Sequence, residues 1–331
     1  MSRIEALLSR LHWLVPALSF GSGGLSFVMV KRGDTLARVI ALLALLGWFW
    51  LLVEPLVRRY LEKRKPGVGK FVVNFVTQSL QQEMLFFALP LLIGATQLHV
   101  GQITFTAIAA AAALITTLDP IYQRFVATRA VARLTFHAYC SLIAAVAVLP
   151  MVIHLSLERT LPLSLLGVAV WLLLTSRMSL HSLPARRQKL WWLASSVLAP
   201  LLFWVLRSQV PAAGVVVTSA VVTHTVVDLQ PGAAITRLSR ADLSKGVFAF
   251  AAIRAPLGLS QQIVFEWHHG GESERISAEI HGGKFSGWRT YSRKQAFPQD
   301  STGRWTVDIL TPQRQLLKRL SFEVTSMPSA R

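Results

Sequence analysis

The sequence predicts a bundle of about seven transmembrane helices followed by a soluble, all-β domain at the C-terminal end. Three observations predict this fold class. Of the 331 residues, 53% are apolar and only 15% are charged, whereas about 25% are charged in an average soluble domain. Long apolar runs precede Arg207. After it, apolar and polar residues alternate, so lipid is expected to surround the first part and water the second.

Transmembrane helices need about 20 mostly apolar residues to cross the hydrocarbon core. The candidate spans are 11–30, 36–57, 72–98, 102–118, 134–155, 161–176 and 190–206. The shorter ones can recruit interfacial residues at their ends. The first run follows Arg3 and Arg10 but lacks a small-x-small cleavage site, so we predict an uncleaved span rather than a signal peptide.

Loop charges predict the orientation of the bundle. The second, fourth and sixth loops are rich in Lys and Arg, the third has none and the fifth has only Arg159. By the positive-inside rule, the even loops and the N-terminus are cytoplasmic. Lys31 and Arg32 in the first loop oppose this assignment but are outnumbered. Seven spans from a cytoplasmic start leave the C-terminal domain outside.

The interpretation of residues 210–227 determines whether the number of transmembrane spans is seven or eight. This run is short, rich in β-branched residues and contains His224, features that favour a strand. The alternative is an eighth span, which would return the C-terminal domain to the cytoplasm. We therefore predict a transmembrane domain over 1–209, a soluble domain over 210–326 and a tail over 327–331.

The C-terminal domain shows a period of two in four segments, which read QIVFEWHH, RISAEIH, RWTVDIL and KRLSFEV. Each has one apolar and one largely polar face, as half-buried antiparallel strands require. Glycine and proline turns separate them. About seven short strands at this spacing predict a β-sandwich of the immunoglobulin-like type.

Charge and cysteine content limit which partners and cofactors are expected. The net charge is +18, but the excess is concentrated in short loops between apolar runs and no basic stripe with stacking aromatics accompanies it, which argues against nucleic acid. The single cysteine, Cys140, lies in an apolar run, so a disulfide cannot stabilise the soluble domain. No motif predicts a cofactor.

Two families resemble this chain. Its C-terminal half is similar to the module called domain of unknown function 2914 in the segments AIRAPLGLSQQIVFEWHHGG, ISAEIHGGKFSGWRTYSRKQAFP, GRWTVDILT and LSFEV. Its N-terminal half resembles the bacterial multi-pass membrane family that commonly precedes that module, in the segments QQEMLFFALP, LDPIYQRF and FHAY. The resemblance implies an inner-membrane protein of a Gram-negative bacterium with a periplasmic C-terminal module. It implies no activity.

Polar residues in the third span form the first candidate site. Asn74, Gln78, Gln81 and Gln82 recur at helical spacing, and Glu83 follows. A polar stripe inside the bundle could bind a headgroup or relay protons. The alternative is an amphipathic helix over 70–83 that lies in the interface.

Two further residues of the helical region are candidates. Asp119 precedes Pro120 at the end of the fourth span, as a general base or headgroup ligand, or as a helix-end residue paired with Arg124 or Arg129. His137 lies one turn before Cys140 and could bind a metal ion, carry protons or pack as a hydrogen-bonded core residue. The pair supplies only half of a zinc site. If Glu83, Asp119 and His137 converge, an enzyme acting on a lipid-linked substrate follows.

The soluble domain offers an exposed basic face. Arg289, Tyr291 and Arg293 share one side of a predicted strand, opposite Trp288, and could bind an anionic glycan, a lipid headgroup or a protein. The alternative is a solvated basic face over a core that contains Trp267, Trp288 and Trp305. A metal cluster of His268, His269 and His281 is not predicted, because adjacent side chains on a strand point to opposite sides.

The leading functional hypothesis is a non-enzymatic anchor or sensor of the bacterial envelope. Its periplasmic β-domain would bind a glycan, a lipid headgroup or a protein partner, while membrane lipids surround the bundle. A membrane enzyme for lipid-linked substrates is the second hypothesis. A small transporter is the third, although no inverted repeats are visible to support it.

Overall fold

A computed structural model describes residues 46–152, 155–179 and 184–326, apart from 48, 51, 52, 62 and 65. The predicted span 11–30, part of the span 36–57 and the predicted tail 327–331 lie outside the described residues. The chain divides into two compact units. The helical unit contains residues up to Ile93, Thr104–Val152 and Thr160–Leu206, and the strand unit contains Gly94–Ile103, Ile153–Arg159 and the residues from Arg207 onward.

Helices form the N-terminal region. The described residues between 46 and 64 are helical. They are followed by α1 (Pro66–Ala95), α2 (Val100–Thr117), α3 (Asp119–Tyr122), α4 (Ala130–Val152), α5 (Leu157–Ser179), α6 (Ala185–Leu193) and α7 (Ala199–Val205). The π-helical turns Gln123–Ala127 and Ala194–Leu198 continue α3 and α6, and a 3-10 turn follows α7 at Arg207–Gln209.

Three of the described helices are long and apolar enough to cross a membrane. They are residues Val100–Thr117, Ala130–Pro150 and Leu157–Ser176, which correspond to the predicted spans 102–118, 134–155 and 161–176. Their outward side chains include apolar ones, since Ile108 on α2 is 53% exposed and Leu174 on α5 is 65% exposed. Helices that contact lipid typically expose such side chains. The N-terminal region is therefore helical and contains three candidate membrane helices.

Strands form the C-terminal domain. They are β1 (Val216–Thr223), β2 (Val226–Val227), β3 (Gln230–Pro231), β4 (Arg237–Ser239), β5 (Val247–Arg254), β6 (Ser260–His269), β7 (Glu272–His281), β8 (Trp288–Lys294), β9 (Gly303–Leu310) and β10 (Leu316–Thr325). The four segments with period two correspond to β6, β7, β9 and β10, so these strand predictions are confirmed. Residues 210–227 contain β1 and β2 and not a helix.

The strands form two main sheets. One has the order β1-β5-β8 and the other the order β4-β10-β9-β6-β7. Neighbouring strands are antiparallel except for β4 and β10. Gly270 and Gly271 form the two-residue turn between β6 and β7, with φ values of 56° and 85°. Such tight hairpin turns favour glycine because the backbone must be left-handed.

A single hydrophobic core contains residues of both sheets. Val222 and Ala251 come from the three-stranded sheet, and Phe265 and Val307 from the five-stranded one. The core also includes Leu157, the first residue of α5, which is 2% exposed. Two tryptophans complete the core, and each donates a hydrogen bond from its indole N–H inside the domain. Trp267 donates to Ser292 Oγ at 3.0 Å, and Trp305 donates to the Ser301 carbonyl at 2.9 Å.

Candidate functional site

The polar stripe of α1 is buried inside the helical unit. Asn74, Gln78, Gln81 and Gln82 are between 0 and 6% exposed. They lie on one continuous helix of 30 residues, which is about 45 Å long at 1.5 Å per residue. Buried amides need hydrogen-bond partners, and three of the four find them on other helices.

Asn74 joins an ion pair to the π-helical turn after α3. Arg58 donates from Nε to Glu54 Oε1 at 2.5 Å and from its terminal nitrogen to Asn74 Oδ1 at 2.8 Å. The Asn74 amide donates in turn to Gln123 Oε1 at 3.2 Å. Glu54 and Arg58 are 2% and 8% exposed, so the pair depends on these contacts to offset its desolvation.

Gln78 connects α1 to Asp119. Its amide nitrogen donates to Asp119 Oδ1 at 2.5 Å and to the Thr116 carbonyl at 2.9 Å. Its oxygen accepts from Gln123 Nε2 at 3.3 Å, so Gln78 and Asn74 share Gln123. Asp119 therefore contacts the stripe of α1, while Arg124 and Arg129 each lie over the ring of Phe125.

Gln81 holds His137 in one orientation. Tyr122 donates its hydroxyl to Gln81 Oε1 at 2.7 Å, and Gln81 Nε2 lies 2.8 Å from His137 Nδ1. Which of these two nitrogens donates depends on the His137 tautomer and on the orientation of the Gln81 amide. The other ring nitrogen of His137 is Nε2. That nitrogen lies 3.9 Å from Glu54 Oε2. The ring also stacks on Trp171 with centroids 6.1 Å apart.

These residues form one polar network of two hydrogen-bonded groups. The first consists of Asp119, Gln78, Gln123, Asn74, Arg58 and Glu54, and the second of His137, Gln81 and Tyr122. The groups approach each other at Glu54 Oε2 and His137 Nε2, 3.9 Å apart, where Nε2 has no hydrogen-bond partner among the described residues. Asp119 and His137 thus belong to the same network. Glu83 is half-buried and lies roughly 200° around the helix axis from Gln81, which directs it away from the network. Gln82 is buried, and its amide nitrogen has no hydrogen-bond partner among the described residues.

The sequence gives little warning of Glu54. Glu54 lies near the end of the predicted span 36–57, where a single acidic residue is expected to lie at the membrane interface. The signal that could have found it is Arg58 at i+4, since Glu and Arg at this spacing pair on one helix face. In the fold the carboxylate lies beside Arg58, and its second oxygen is 3.9 Å from His137 Nε2.

The three candidate residues of β8 lie on one face of the three-stranded sheet. Their partners on β5 are Ala252 for Arg289, Phe250 for Tyr291 and Phe248 for Arg293. The Arg293 guanidinium lies over the Phe248 ring at 5.1 Å. The Tyr291 and Phe248 rings meet edge to face at 5.6 Å, and Tyr291 is 43% exposed. We call Arg289, Tyr291, Arg293 and Phe248 the basic face.

Charge is divided unequally between the two main sheets. Strands β1, β5 and β8 contain no Asp or Glu, so the basic face has no acidic neighbour within its own sheet. The five-stranded sheet holds six acidic residues, which are Glu266, Glu272, Glu274, Glu279, Asp308 and Glu323. The basic face therefore presents positive charge beside exposed aromatic surface.

The histidines of the strand unit have separate partners. His268 Nε2 lies 3.8 Å from Glu266 and 3.7 Å from Asp308. His269 stacks on Trp305 at 4.3 Å, and His281 meets the edge of Trp288 at 4.7 Å. Across the part of the chain that the structure describes, no group of three His, Cys, Asp or Glu residues could hold a metal ion.

Comparison with known proteins finds two family models. The model described as a family of unknown function, DUF5924, matches residues 1–249. The model described as a protein of unknown function, DUF2914, matches residues 260–324. No curated protein and no solved structure matches the chain.

Proposed function

The chain belongs to the DUF5924 family and carries a DUF2914 module, and we propose that it is a non-enzymatic protein of the bacterial inner membrane. In this proposal seven helices anchor the chain, the N-terminus is cytoplasmic and the β-domain stands in the periplasm. The β-domain binds an anionic envelope component through the basic face, and the segregation of charge between the two sheets is the observation that carries the proposal.

Two observations support the proposed topology. The third and fifth loops lack the Lys and Arg clusters of the even loops, which assigns them to the periplasm by the positive-inside rule. The strand unit includes Gly94–Ile103 and Ile153–Arg159, the segments around these two loops. A periplasmic β-domain is therefore consistent with an odd number of spans.

The strand order supports an immunoglobulin-like sandwich. Apart from β4 and the β2-β3 hairpin, the domain has seven strands in chain order. The first, second and fifth of these form one sheet, and the third, fourth, sixth and seventh form the other. Immunoglobulin-like sandwiches divide their strands in this Greek-key manner around one core. Many domains of this type bind partners through the exposed side of a sheet.

The chemistry of the basic face favours an anionic, ring-bearing or polyhydroxylated ligand. Arginine pairs with carboxylate and phosphate groups through two parallel hydrogen bonds. Tyrosine offers a flat apolar surface and one hydroxyl, a combination common in binding sites. An envelope glycan that carries acidic groups, or an anionic lipid headgroup, presents both kinds of partner.

Binding to purified envelope components tests this function. The full-length protein in nanodiscs should bind lipopolysaccharide, soluble peptidoglycan fragments or phosphatidylglycerol vesicles. Arg289→Gln with Arg293→Gln should weaken that binding about tenfold or more, since about 1.4 kcal/mol corresponds to a factor of ten. The matched control is Arg237→Gln with Arg304→Gln, which removes the same charge from the five-stranded sheet. Equal loss in both double variants, or no binding at all, would refute the proposal.

The polar network favours a second candidate, a membrane enzyme or transporter for lipid-linked substrates. A carboxylate, a histidine and several amides within one buried network could hold a polar headgroup or move a proton. Glu54→Gln, Asp119→Asn and His137→Gln should then each fail to rescue a deletion phenotype at normal membrane abundance, whereas Glu158→Gln, an exposed control, should rescue it. Full rescue by all three network variants would exclude this candidate.

A further inference from the structure

Two turns of the strand unit lie side by side and end in exposed apolar side chains. Residues 255–259 join β5 to β6, and residues 282–287 join β7 to β8. Gly282 donates its backbone N–H to the Leu259 carbonyl at 2.6 Å, and Gly283 donates to the Ala255 carbonyl at 3.1 Å. These bonds hold Leu257, 52% exposed, and Phe285, 83% exposed, at one end of the domain. We call this pair the apolar tip.

Cations flank the apolar tip. The Arg254 guanidinium lies 5.2 Å from the centre of the Phe285 ring, and Lys284 Nζ lies 4.6 Å from the centre of the Trp288 ring. An exposed phenylalanine and leucine beside Arg, Lys and Trp is the side-chain set that proteins place at a membrane–water interface. In water, Phe285 would leave most of its apolar surface exposed and would gain little of the free energy that burial of that surface provides.

Close contacts within the strand unit connect the apolar tip to Gly94. Gly94, in the last turn of α1, lies so close to Val216 that a β-carbon on it would be 3.6 Å from the valine methyl. Val216 is the register partner of Arg254, whose guanidinium covers Phe285. Neighbouring strands are about 4.8 Å apart. Two residues, Val216 and Arg254, therefore connect Gly94 of α1 to Phe285 in space.

The chain leaving the last helix reaches the same end of the domain. Gly214 follows the end of α7 by nine residues and lies against Pro256, which precedes Leu257. Leu98 and Val100, at the start of candidate span α2, are also in the strand unit and are 101% and 80% exposed. Within the strand unit, Gly94 and Gly214 therefore lie close to the two turns that form the apolar tip.

We propose that the apolar tip inserts into the headgroup and glycerol region of the bilayer in which the chain is anchored. Leu257 and Phe285 enter the lipid, and Arg254 and Lys284 contact lipid phosphates. The inference rests on the proposed membrane location of the helices but not on the ligand of the basic face. It requires neither side of the membrane in particular.

Site-directed spin labelling tests the insertion, because the chain contains a single cysteine, Cys140. In a Cys140→Ala background, nitroxides at Phe285→Cys and Leu257→Cys are compared with one at Val227→Cys. Val227 is 66% exposed and follows Thr223, the end of β1 that lies about 23 Å from Val216. The protein is reconstituted in vesicles of phosphatidylcholine and phosphatidylglycerol, and collision with oxygen and with a water-soluble nickel chelate is measured by power saturation.

The expected result is an oxygen-to-nickel collision ratio several-fold higher at both tip positions than at Val227. A label at Leu174→Cys on α5 reports whether the helices are in lipid at all. If the label at Leu174 reports lipid and the tip labels match Val227, the insertion is refuted while the membrane location stands. If the label at Leu174 reports water, the membrane location itself fails.

Discussion

Glu266 on β6 and Asp308 on β9 lie directly opposite each other as register partners, and both carboxylates are buried, at 2% and 6% exposure. Like charges in this position repel each other. Each is therefore paired with an arginine on the strand beyond it: Arg275 donates to Glu266 at 2.9 Å, and Arg319 donates to both Asp308 oxygens at 2.6 Å. The hydrogen bonds that Arg319 donates to Asp308 raise the pKa of Arg319 above its usual range.

This arrangement predicts that Arg319→Gln destabilises the strand unit. Asp308 would lose its bidentate partner while facing Glu266, and we expect a loss of about 1–3 kcal/mol, below the value for a fully buried pair because Arg319 is half exposed. The control is Arg237→Gln, whose pair with Glu323 is long and exposed and should cost less than about 0.5 kcal/mol. Thermal unfolding followed by near-UV circular dichroism measures both, and equal midpoints would contradict the prediction.

The 3-10 turn at Arg240–Lys245 should make a pH-dependent contribution. Hydrogen bonds from Lys245 and Ser239 lower the pKa of Asp242 from 3.8 to about 2. A lowered pKa stabilises the fold above the unfolded value of 3.8, and the contribution is lost as pH falls towards 2. Asp242→Asn should therefore lower the unfolding temperature at pH 7 by more than at pH 2.5. A difference that does not change with pH would contradict this assignment.

The helical unit should depend on Gln81 more than on its neighbour Gln82. Gln81→Leu removes the partners of Tyr122 and His137 and leaves two buried polar groups unpaired, a cost of about 1–3 kcal/mol. Gln82→Leu makes the same change one residue along the same helix, where the amide nitrogen has no hydrogen-bond partner among the described residues. Its effect should be small. The fraction of protein that still elutes in the unheated peak after heating, measured by size-exclusion chromatography in detergent, should be lower for Gln81→Leu than for Gln82→Leu.

Leu157 should contribute to the β-domain although it belongs to a helix. Its side chain is in the core shared by the two sheets, and its backbone N–H donates to Gln261 Oε1 at 2.8 Å. Leu157→Ala should cost about 2–4 kcal/mol, as for other buried leucines. Leu163→Ala on the same helix, where the side chain is 45% exposed, should cost much less. Near-UV circular dichroism of the tryptophans follows the loss.

Reporter fusions test the number of spans. Alkaline phosphatase should be active when fused after residue 209 and at the C-terminus, and inactive when fused after residue 128, in the basic loop between α3 and α4. The proposed orientation requires this alternation because each crossing reverses the side. If the fusion after residue 128 were active and the C-terminal fusion inactive, the orientation of the chain in the membrane would be the reverse of the one proposed.

The features visible in the sequence are those with a local period. Strands β6, β7, β9 and β10 alternate apolar and polar residues, so their positions could be predicted. Strand β5 reads VFAFAAIR and is apolar on both sides, which leaves no alternation to detect. The network depends on contacts between helices far apart in sequence: the stripe of α1 was visible at helical spacing, but its link to Glu54 was not. Glu83 differs from its neighbours only by its angle around the helix.

Leu157 also bears on the order in which the protein is made. Leu157 is synthesised some hundred residues before Gln261, its hydrogen-bond partner. Likewise, Gln102 is synthesised long before Leu316, to whose carbonyl it donates at 2.9 Å. The β-domain therefore cannot complete its interior from its own segment alone. Its last strands must assemble on segments that were translated earlier, so Leu157 and Gln102 must be in place before the interior of the domain can close.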